Sequence, residues 1–584
     1  MALVLRWTVL GLSLAVTVLA GWLFAMFAMP DGWSVTDWLR LLLSSVCVFW
    51  LAWGGFGGML GLFARDAKSD AEAASGVAKA RTAILIPIYN EDPPATFARA
   101  AAMGNALAAH GVDEQFNIFL LSDTNAIEVA ARETVWFERL LAECAMREQI
   151  FYRRRDKNVG RKAGNIEEFI RRSGGAFDYA LVLDADSLME PKTIVAMVER
   201  MQASPRLGLL QTLPSIVHAR SLFGRVMQFA GAFYTPVHAR GAALLQGNEG
   251  PFWGHNAMFR VTAFAQCCGL PELPGKPPFG GHILSHDFVE AALLTRGGWQ
   301  VLLAPEFTGS YEEGPENLID YAKRDRRWCQ GNLQHHKVLL AAGLHLWNRM
   351  TLLQGIMAYL LSPIWLALLL VSVLAGEWTA RVFYRTGGAW AGWSLIALIA
   401  TILLLPKVLI VIRGALDGRN RRFGGTPAVA ASALGEIVFS SLLAPMMLLF
   451  QARSVIQVLL GLDGGWPASN RDDGRLGYGQ AIAAGGWIAM IGAVGFAVVV
   501  ATAPVLAGWS LVVLLPMVVA PLLIAWSSRA VPATSWLWQT PEEIEPAPIM
   551  REWRRIHDAW SGNEAEIYGP EWPFGLGAAA DARG

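Results

Sequence analysis

The sequence predicts a polytopic α-helical membrane protein with an α/β domain of Rossmann-like type inserted between its spans. Three observations lead there. Of the 584 residues, 54% are hydrophobic and only 16% charged, against about 25% charged in an average soluble domain. Long runs without a charge flank a central stretch that holds most of the acids and bases. Inside that stretch, short apolar strands alternate with helical segments, the pattern of a doubly wound sheet.

A bilayer core takes roughly 20 apolar residues in a helix. Charge-free runs of that size lie at 7–29, 41–64, 351–376 and 386–406. The run 476–528 is twice as long, with Pro504 and Gly508 near its middle, and predicts a helical hairpin. A further candidate, 428–452, is interrupted by Glu436 and Pro445. The first run is too long for a signal-peptide core and is followed at once by a second, which predicts an uncleaved span. Residues 1–65 thus hold two N-terminal spans and 66–350 the α/β domain. Residues 351–528 form the later membrane and interfacial segments, about four to six, with 453–475 a cytosolic loop of gating type. Residues 529–584 are a tail.

The 30–38 connection carries Asp31 and Asp37 without Lys or Arg, whereas 413–422 carries Arg413, Arg419, Arg421 and Arg422. By the positive-inside rule the first faces out and the second faces the cytosol, which puts the N-terminus and the α/β domain inside. A single crossing by 428–452 would send the tail out. An interfacial placement keeps it in, as the basic run "REWRR" (551–555) favours. The formal net charge is zero, so no broad basic field invites nucleic acid. Five cysteines without metal-ligand spacing read as reduced thiols. The stretch 67–80 is a short Ala-rich linker.

Within the domain, Thr82–Ile88 (TAILIPI) predicts a buried strand followed by the loop Tyr89-Asn90-Glu91-Asp92-Pro93. Residues 117–121 predict a second strand, ending at Ser122-Asp123. Residues 179–183 predict a third, ending at Asp184-Ala185-Asp186. Helical stretches lie between, at 126–148 and 162–172. Sites of such folds form where strands end. Two carboxylates one residue apart can share a hard divalent cation with a diphosphate, or simply cap a turn. Asp123 suits a nucleotide or, again, a turn. Lys162 suits a phosphate or the exposed start of a helix. His255 suits an acceptor site or a buried hydrogen bond.

Taken together, "IPIYNED" (86–92), "SDT" (122–124), "GRKAGN" (160–165), "DAD" (184–186), "SHDFVEA" (285–291) and "RDRRW" (324–328) follow the order and spacing of processive family 2 glycosyltransferases. The chain resembles that family, which includes cellulose and hyaluronan synthases. The resemblance implies a GT-A fold and inverting transfer from a UDP-sugar with Mg²⁺ or Mn²⁺. It implies that Asp123 binds uridine, that Asn90, Glu91 and Lys162 contact the donor, and that Asp184 and Asp186 bind nucleotide and metal. Asp287 matches the general base of the family's Thr-Glu-Asp motif, and Arg327 and Trp328 match its Arg-Trp pair, Trp328 offering a face for the terminal sugar. Two departures stand out: Thr-Glu-Asp reads Ser285-His286-Asp287, and Arg324 occupies the Gln position.

"SYEE" (310–313), "NLIDYAKRDRRWCQGNLQH" (317–335), "FWGHNAMFR" (252–260) and "GLDGGWPASNRDDG" (461–474) resemble the glucans biosynthesis glucosyltransferase H family. That closer resemblance implies a β-1,2-glucan backbone for osmoregulated periplasmic glucans, made from UDP-glucose and passed across the bacterial inner membrane. It also implies a growing glucan chain as acceptor, membrane lipid around the spans, a periplasmic partner protein and, in some members, acyl carrier protein. Members often carry a longer N-terminal extension, whose regulatory role is not expected here. The competing expectations are a β-1,4-glucan synthase, a lipid-carrier glycosyltransferase, or an inactive sugar-binding transporter or scaffold.

Overall fold

The computed structural model describes residues 1–28, 33–64, 80–375, 389–462, 474–532 and 534–562. Asp31, most of the 67–80 linker, most of the 461–474 run and the tail beyond 562 lie outside the described residues.

Two long apolar helices, α1 (Ala2–Ala28) and α2 (Val35–Phe63), open the chain. The second begins six residues ahead of the expected run. Ser34 and Asp37 form a capping box there, and Asp37 also pairs with Arg40 inside the helix. A charge neutralised one turn away does not end a span, so the charge-free run understated it.

The α/β domain follows in the order β1 (Thr82–Ile88), α3 (Pro93–Ala109), β2 (Phe116–Ser122), α4 (Ile127–Glu143), β3 (Ile150–Arg154), α5 (Arg161–Ser173), β4 (Tyr179–Val182) and β5 (Leu188–Met189). Next come α6 (Pro191–Ala203), β6 (Leu207–Thr212), β7 (Ser215–Val217), α7 (Leu222–Phe233), α8 (Thr235–Gln246), β8 (Ala257–Arg260) and α9 (Val261–Cys267). α10 (His286–Arg296), β9 (Gln300–Ala304), β10 (Ser310–Glu313) and α11 (Leu318–Gln334) complete it. The main sheet has seven strands in the order β3-β2-β1-β4-β8-β6-β9. β3, β2, β1 and β4 are parallel.

One strand departs from the expected all-parallel arrangement: β8 runs antiparallel between β4 and β6. Its first residue, Ala257, pairs with Val182 at the end of β4. The loop that enters β8 is thereby delivered to the carboxyl end of β4, beside Asp184. A three-stranded sheet, β5-β10-β7, stands over the same edge. Apolar clusters fill both faces of the main sheet. One joins β1, α3, β2 and α6, the other β4, β8, α5 and α9.

The later helices are α12 (Leu346–Leu374), α13 (Ala389–Leu416), α14 (Thr426–Leu459), α15 (Tyr478–Thr502), α16 (Ala507–Val518) and α17 (Ala520–Ser527). Among the described residues six helices are long and apolar enough to cross a membrane, namely α1, α2, α12, α13, α14 and α15. The segments 504–518 and 520–527 form a pair bent by 58° that adds a seventh candidate. The expected hairpin is present and turns at Ala503-Pro504. Its ends meet, since Leu476 N–H donates to Ser528 Oγ at 3.0 Å.

α14 runs unbroken for 34 residues through both Glu436 and Pro445. Glu436 is neutralised by Lys407 of α13 at 2.5 Å. Both ends of α14 touch the α/β domain. Just ahead of it Arg419 donates to the Phe233 carbonyl at 3.2 Å, and just beyond it Arg326 donates to the Leu462 carbonyl at 2.8 Å. After the hairpin the chain rejoins the domain as a two-bond ladder, Leu222 N–H to Arg529 O at 2.8 Å and Val531 N–H to Arg220 O at 2.9 Å.

The last described helix, α18 (Pro548–Gly562), packs on α3. Its stripe of Ile549, Trp553, Ile556 and Trp560 belongs to the same core as β1 and α6. Trp560 is 1% exposed, lies 5.3 Å from the Trp136 ring and donates to Glu143 at 2.5 Å. Trp560→Ala is expected to lower the stability of the α/β domain by about 3–5 kcal/mol, read as a drop in melting temperature of the detergent-solubilised protein.

Candidate active site

The site is built from loops that leave parallel strands at one edge and from the loop that enters β8. Asp184 follows β4 directly. Its backbone N–H is held by Ser187 Oγ at 3.0 Å, which donates to Asn256 Oδ1 at 2.6 Å. Asn256 is fully buried and reaches on to Ser310 of β10 at 2.8 Å. It has a positive φ of 51°, a conformation that asparagine tolerates better than most residues. A polar pin thus joins the turn after β4, the start of β8 and the small sheet.

Lys162, in the first turn of α5, pairs with Asp184 and donates to the Gly254 carbonyl at 2.6 Å. Gly254 has φ of 85°, and a Cβ built on it would lie 3.4 Å from Asp287 Oδ2. Residues far apart in sequence, with 92 positions between Lys162 and Gly254, therefore stand side by side: Lys162, Asp184, Gly254 and Asp287. Asp287 occupies the first turn of α10, where the helix dipole favours a carboxylate. α11 closes against the same turn. Gly331 packs so tightly that a Cβ there would collide with Ser285, and His335 meets the Ser285 carbonyl at 2.9 Å.

Burial works to protonate Asp184, but Lys162, then His255 and Arg324, outweigh it and hold the carboxyl well below its ordinary range. Asp287 goes the other way. Burial raises it, with Glu290 adding to the rise, and His286 and Lys162 only partly offset them. His286 pairs with Glu290 at 3.1 Å; burial opposes its charge, yet Glu290 raises its pKa. Two carboxylates in one site are thus pushed apart, one secured as an anion and one poised to take a proton.

Two residues that sequence reasoning did not assign to the site lie in it. Glu312, in β10, is 3.5 Å from His255 Nε2. Burial raises its pKa, and Asp186 and Asp184 raise it further against His255 and Arg324. Arg324 stacks over Trp328 at 4.6 Å. Its signal in the sequence was its replacement of Gln in the motif; that of Glu312 was only the doublet in "SYEE". Trp328 is 39% exposed, so its ring face is open. Arg327 lies one residue before it on α11 and is half-buried.

At the far side, Asp123 receives a two-pronged salt bridge from Arg155, at 2.6 and 2.8 Å. Asn90 has φ of 55°. It bridges the loops after β1 and β2, donating to Asn125 Oδ1 at 2.8 Å and accepting from Ala126 N–H at 3.1 Å. Glu91 accepts from the Tyr89 N–H. Buried Glu133 braces the Ser122-Asp123-Thr124 turn through Ser122 at 2.7 Å and Thr124 at 2.5 Å.

Residues 83–268 match the family described as Glycosyl transferase family 2, and 179–411 match Glycosyl transferase family group 2. A glucans biosynthesis glucosyltransferase H from Cereibacter sphaeroides is 49% identical over 566 residues, 95% of this chain and 95% of that one. The chain belongs to the glucans biosynthesis glucosyltransferase H family. Relatives of the same name from Xanthomonas oryzae and Caulobacter vibrioides are each 39% identical, over 93% and 94% of this chain and 88% and 86% of theirs.

The domain of this family member is thus a GT-A glycosyltransferase in a multi-pass membrane protein. Among the described residues no three His, Cys, Asp or Glu side chains gather to hold a metal by themselves. The donor set nonetheless fits a cation shared with a phosphate: Asp184, Asp186 and Glu312 repel one another, with hard oxygen ligands on offer. Asp123 and Arg155 have side chains only 5% and 7% exposed, so breaking the pair strands a buried charge. Arg155→Met should therefore destabilise the domain by about 3–5 kcal/mol. Arg155→Lys, lacking the planar fork, should recover only part of that in thermal unfolding.

Proposed function

We propose that this chain is an inverting glucosyltransferase that polymerises glucose from UDP-glucose into a β-1,2-glucan backbone and passes it across the inner membrane. The observation that carries the reading is the convergence of Lys162, Asp184, Gly254 and Asp287. Membership of the family and the family's name support the sugar and the product class.

Asp287 takes the proton of the attacking acceptor hydroxyl. One base and one displacement invert the anomeric carbon, turning an α-linked donor into a β-linked product. A positioned base supplies about 10²–10⁴ in rate. Asp184, Asp186 and Glu312 are the residues to hold Mg²⁺ or Mn²⁺, which when bound neutralises charge on the departing diphosphate. Lys162 stands beside that charge and Arg324 and Arg327 close it from α11. Asp123, fixed by Arg155, and the loop locked by Asn90 and Glu91 receive the uridine. Trp328 offers the terminal sugar its open ring.

The chain's course supports a cytosolic site. α14 has both ends against the domain and is best placed along the membrane surface. α1, α2, α12, α13, α15 and the bent pair are then six crossings, which return the C-terminal segment to the side of the domain, where α18 packs. A buried polar seam beneath Trp328 supports passage of a polar chain. Tyr359 of α12 donates to Asp325 at 3.3 Å, and Ser362 donates to Gln451 of α14 at 2.6 Å. Burial raises Asp325 to about 6.

Membranes carrying this chain are expected to convert UDP-glucose to β-1,2-glucan by linkage analysis; a β-1,4 product or a glycolipid would overturn the assignment. Asp287→Asn should cut turnover by at least about 10²-fold with UDP binding nearly unchanged by calorimetry. Asp287 works deprotonated and its pKa is raised, so kcat/KM should fall with acid from above the ordinary aspartate value of about 4. His286→Gln removes a facing cation and should move that acidic limb higher still.

A further inference from the structure

The DAD turn is gripped from behind as well as from the front. Arg99 of α3 is 4% exposed and donates to the carbonyl of Ala185, between the two acids, at 3.2 Å. Its other prong meets Glu313 of β10 at 2.5 Å, next to Glu312 of the site. The guanidinium lies 5.0 Å from the ring of Trp553 on α18. Trp553 in turn stacks on His218 at 4.6 Å with an interplanar angle of 26°, and His218 is 3.4 Å from the same Glu313 oxygen. Trp553 also donates to the Ala95 carbonyl at 3.4 Å, within α3.

A buried guanidinium has a fixed planar fork, and an aromatic face stabilises it where water is excluded. Its two bonds hold the backbone of the turn and the strand of Glu312 at one spacing. The last described helix closes the cage around it.

We propose that Arg99, held by Trp553 of the C-terminal helix, is a positioning residue that sets the cation affinity of the Asp184–Asp186 turn. Arg99 is buried and bonds to the Ala185 carbonyl and to Glu313, so it acts through the turn. This inference deepens the proposed function and rests on its assignment of the acids to a cation.

The test uses the full-length protein in detergent, with Mn²⁺ binding in the presence of UDP followed by electron paramagnetic resonance. Arg99→Lys, Trp553→Leu and Glu313→Gln are compared with the parent and with Asp186→Asn. The affinity for Mn²⁺ should fall about 10- to 100-fold in Arg99→Lys and by less in the other two, with lost activity recovered at high Mn²⁺. Glu313→Gln keeps the packing and covers the case in which an aromatic or arginine variant does not fold. Unchanged Mn²⁺ affinity in these variants, with Asp186→Asn deficient, overturns this inference and leaves the proposed function standing. A parent that binds no Mn²⁺ overturns both.

Discussion

Concentrated negative charge at the end of a sheet is the constraint around which this domain is arranged. Asp184, Asp186, Glu312 and Asp287 share a half-buried site, and unpaired carboxylates so placed would rather bind protons than stay ionised. Lys162 decides which of them does. Its pairing with Asp184 and its bond to the Gly254 carbonyl fix one anion in place and tie the turn after β4 to the loop before β8. With that anchor the residues near it become unequal. Asp184 is kept charged, while Asp287, with Glu290 at its back, is pushed toward protonation. The site thereby holds a secured anion and a second carboxyl disposed to accept a proton.

Topology delivers the charges. Parallel strands place Asp123 and Asp184 at one edge, as any doubly wound sheet does. The antiparallel β8 adds what a parallel strand would not. It brings Gly254, His255 and Asn256 to the same edge from the opposite direction. Asn256 then pins the front of the turn through Ser187 and Ser310, and the small sheet presents Glu312. Positive φ at Gly254 and Asn256, which glycine adopts freely and asparagine tolerates, is the local geometry by which a four-residue strand starts within reach of Asp184.

Much of this was legible before any coordinates. β1 has the expected bounds, and β2 and β4 lie within one residue of theirs, because buried parallel strands are continuous apolar runs with polar residues where they stop. Asp123 and Asp184 stand where two of those strands stop. The direction of β8 was not, since "AMFR" is too short to carry a period. Pro445 argued for a broken helix, yet α14 is continuous; close packing on α11 and α12 overrides a missing N–H. The packing role of 548–562 also has a signal in the sequence. Ile549, Trp553, Ile556 and Trp560 recur at spacings of four, three and four, an apolar helical stripe interleaved with the basic residues of "REWRR". Arg99 carried no signal, as only the fold brings α3 to the back of the DAD turn.

The placement of α14 ties the membrane part to the chemistry. A 34-residue helix is about 51 Å long, more than a bilayer core of about 30 Å requires. The segments flanking both its ends meet the α/β domain, the contacts on which its proposed course along the membrane surface rests. Glu436 agrees with that geometry, for its charge is neutralised by Lys407 beside Tyr234 of the domain. The two ends of the hairpin behind it meet, through the bond between Leu476 and Ser528. The chain then has only a short ladder to cross, at Leu222 and Val531, before α18 reaches α3. The hairpin and the back of the Asp184–Asp186 turn are in this way linked through the ladder and α18.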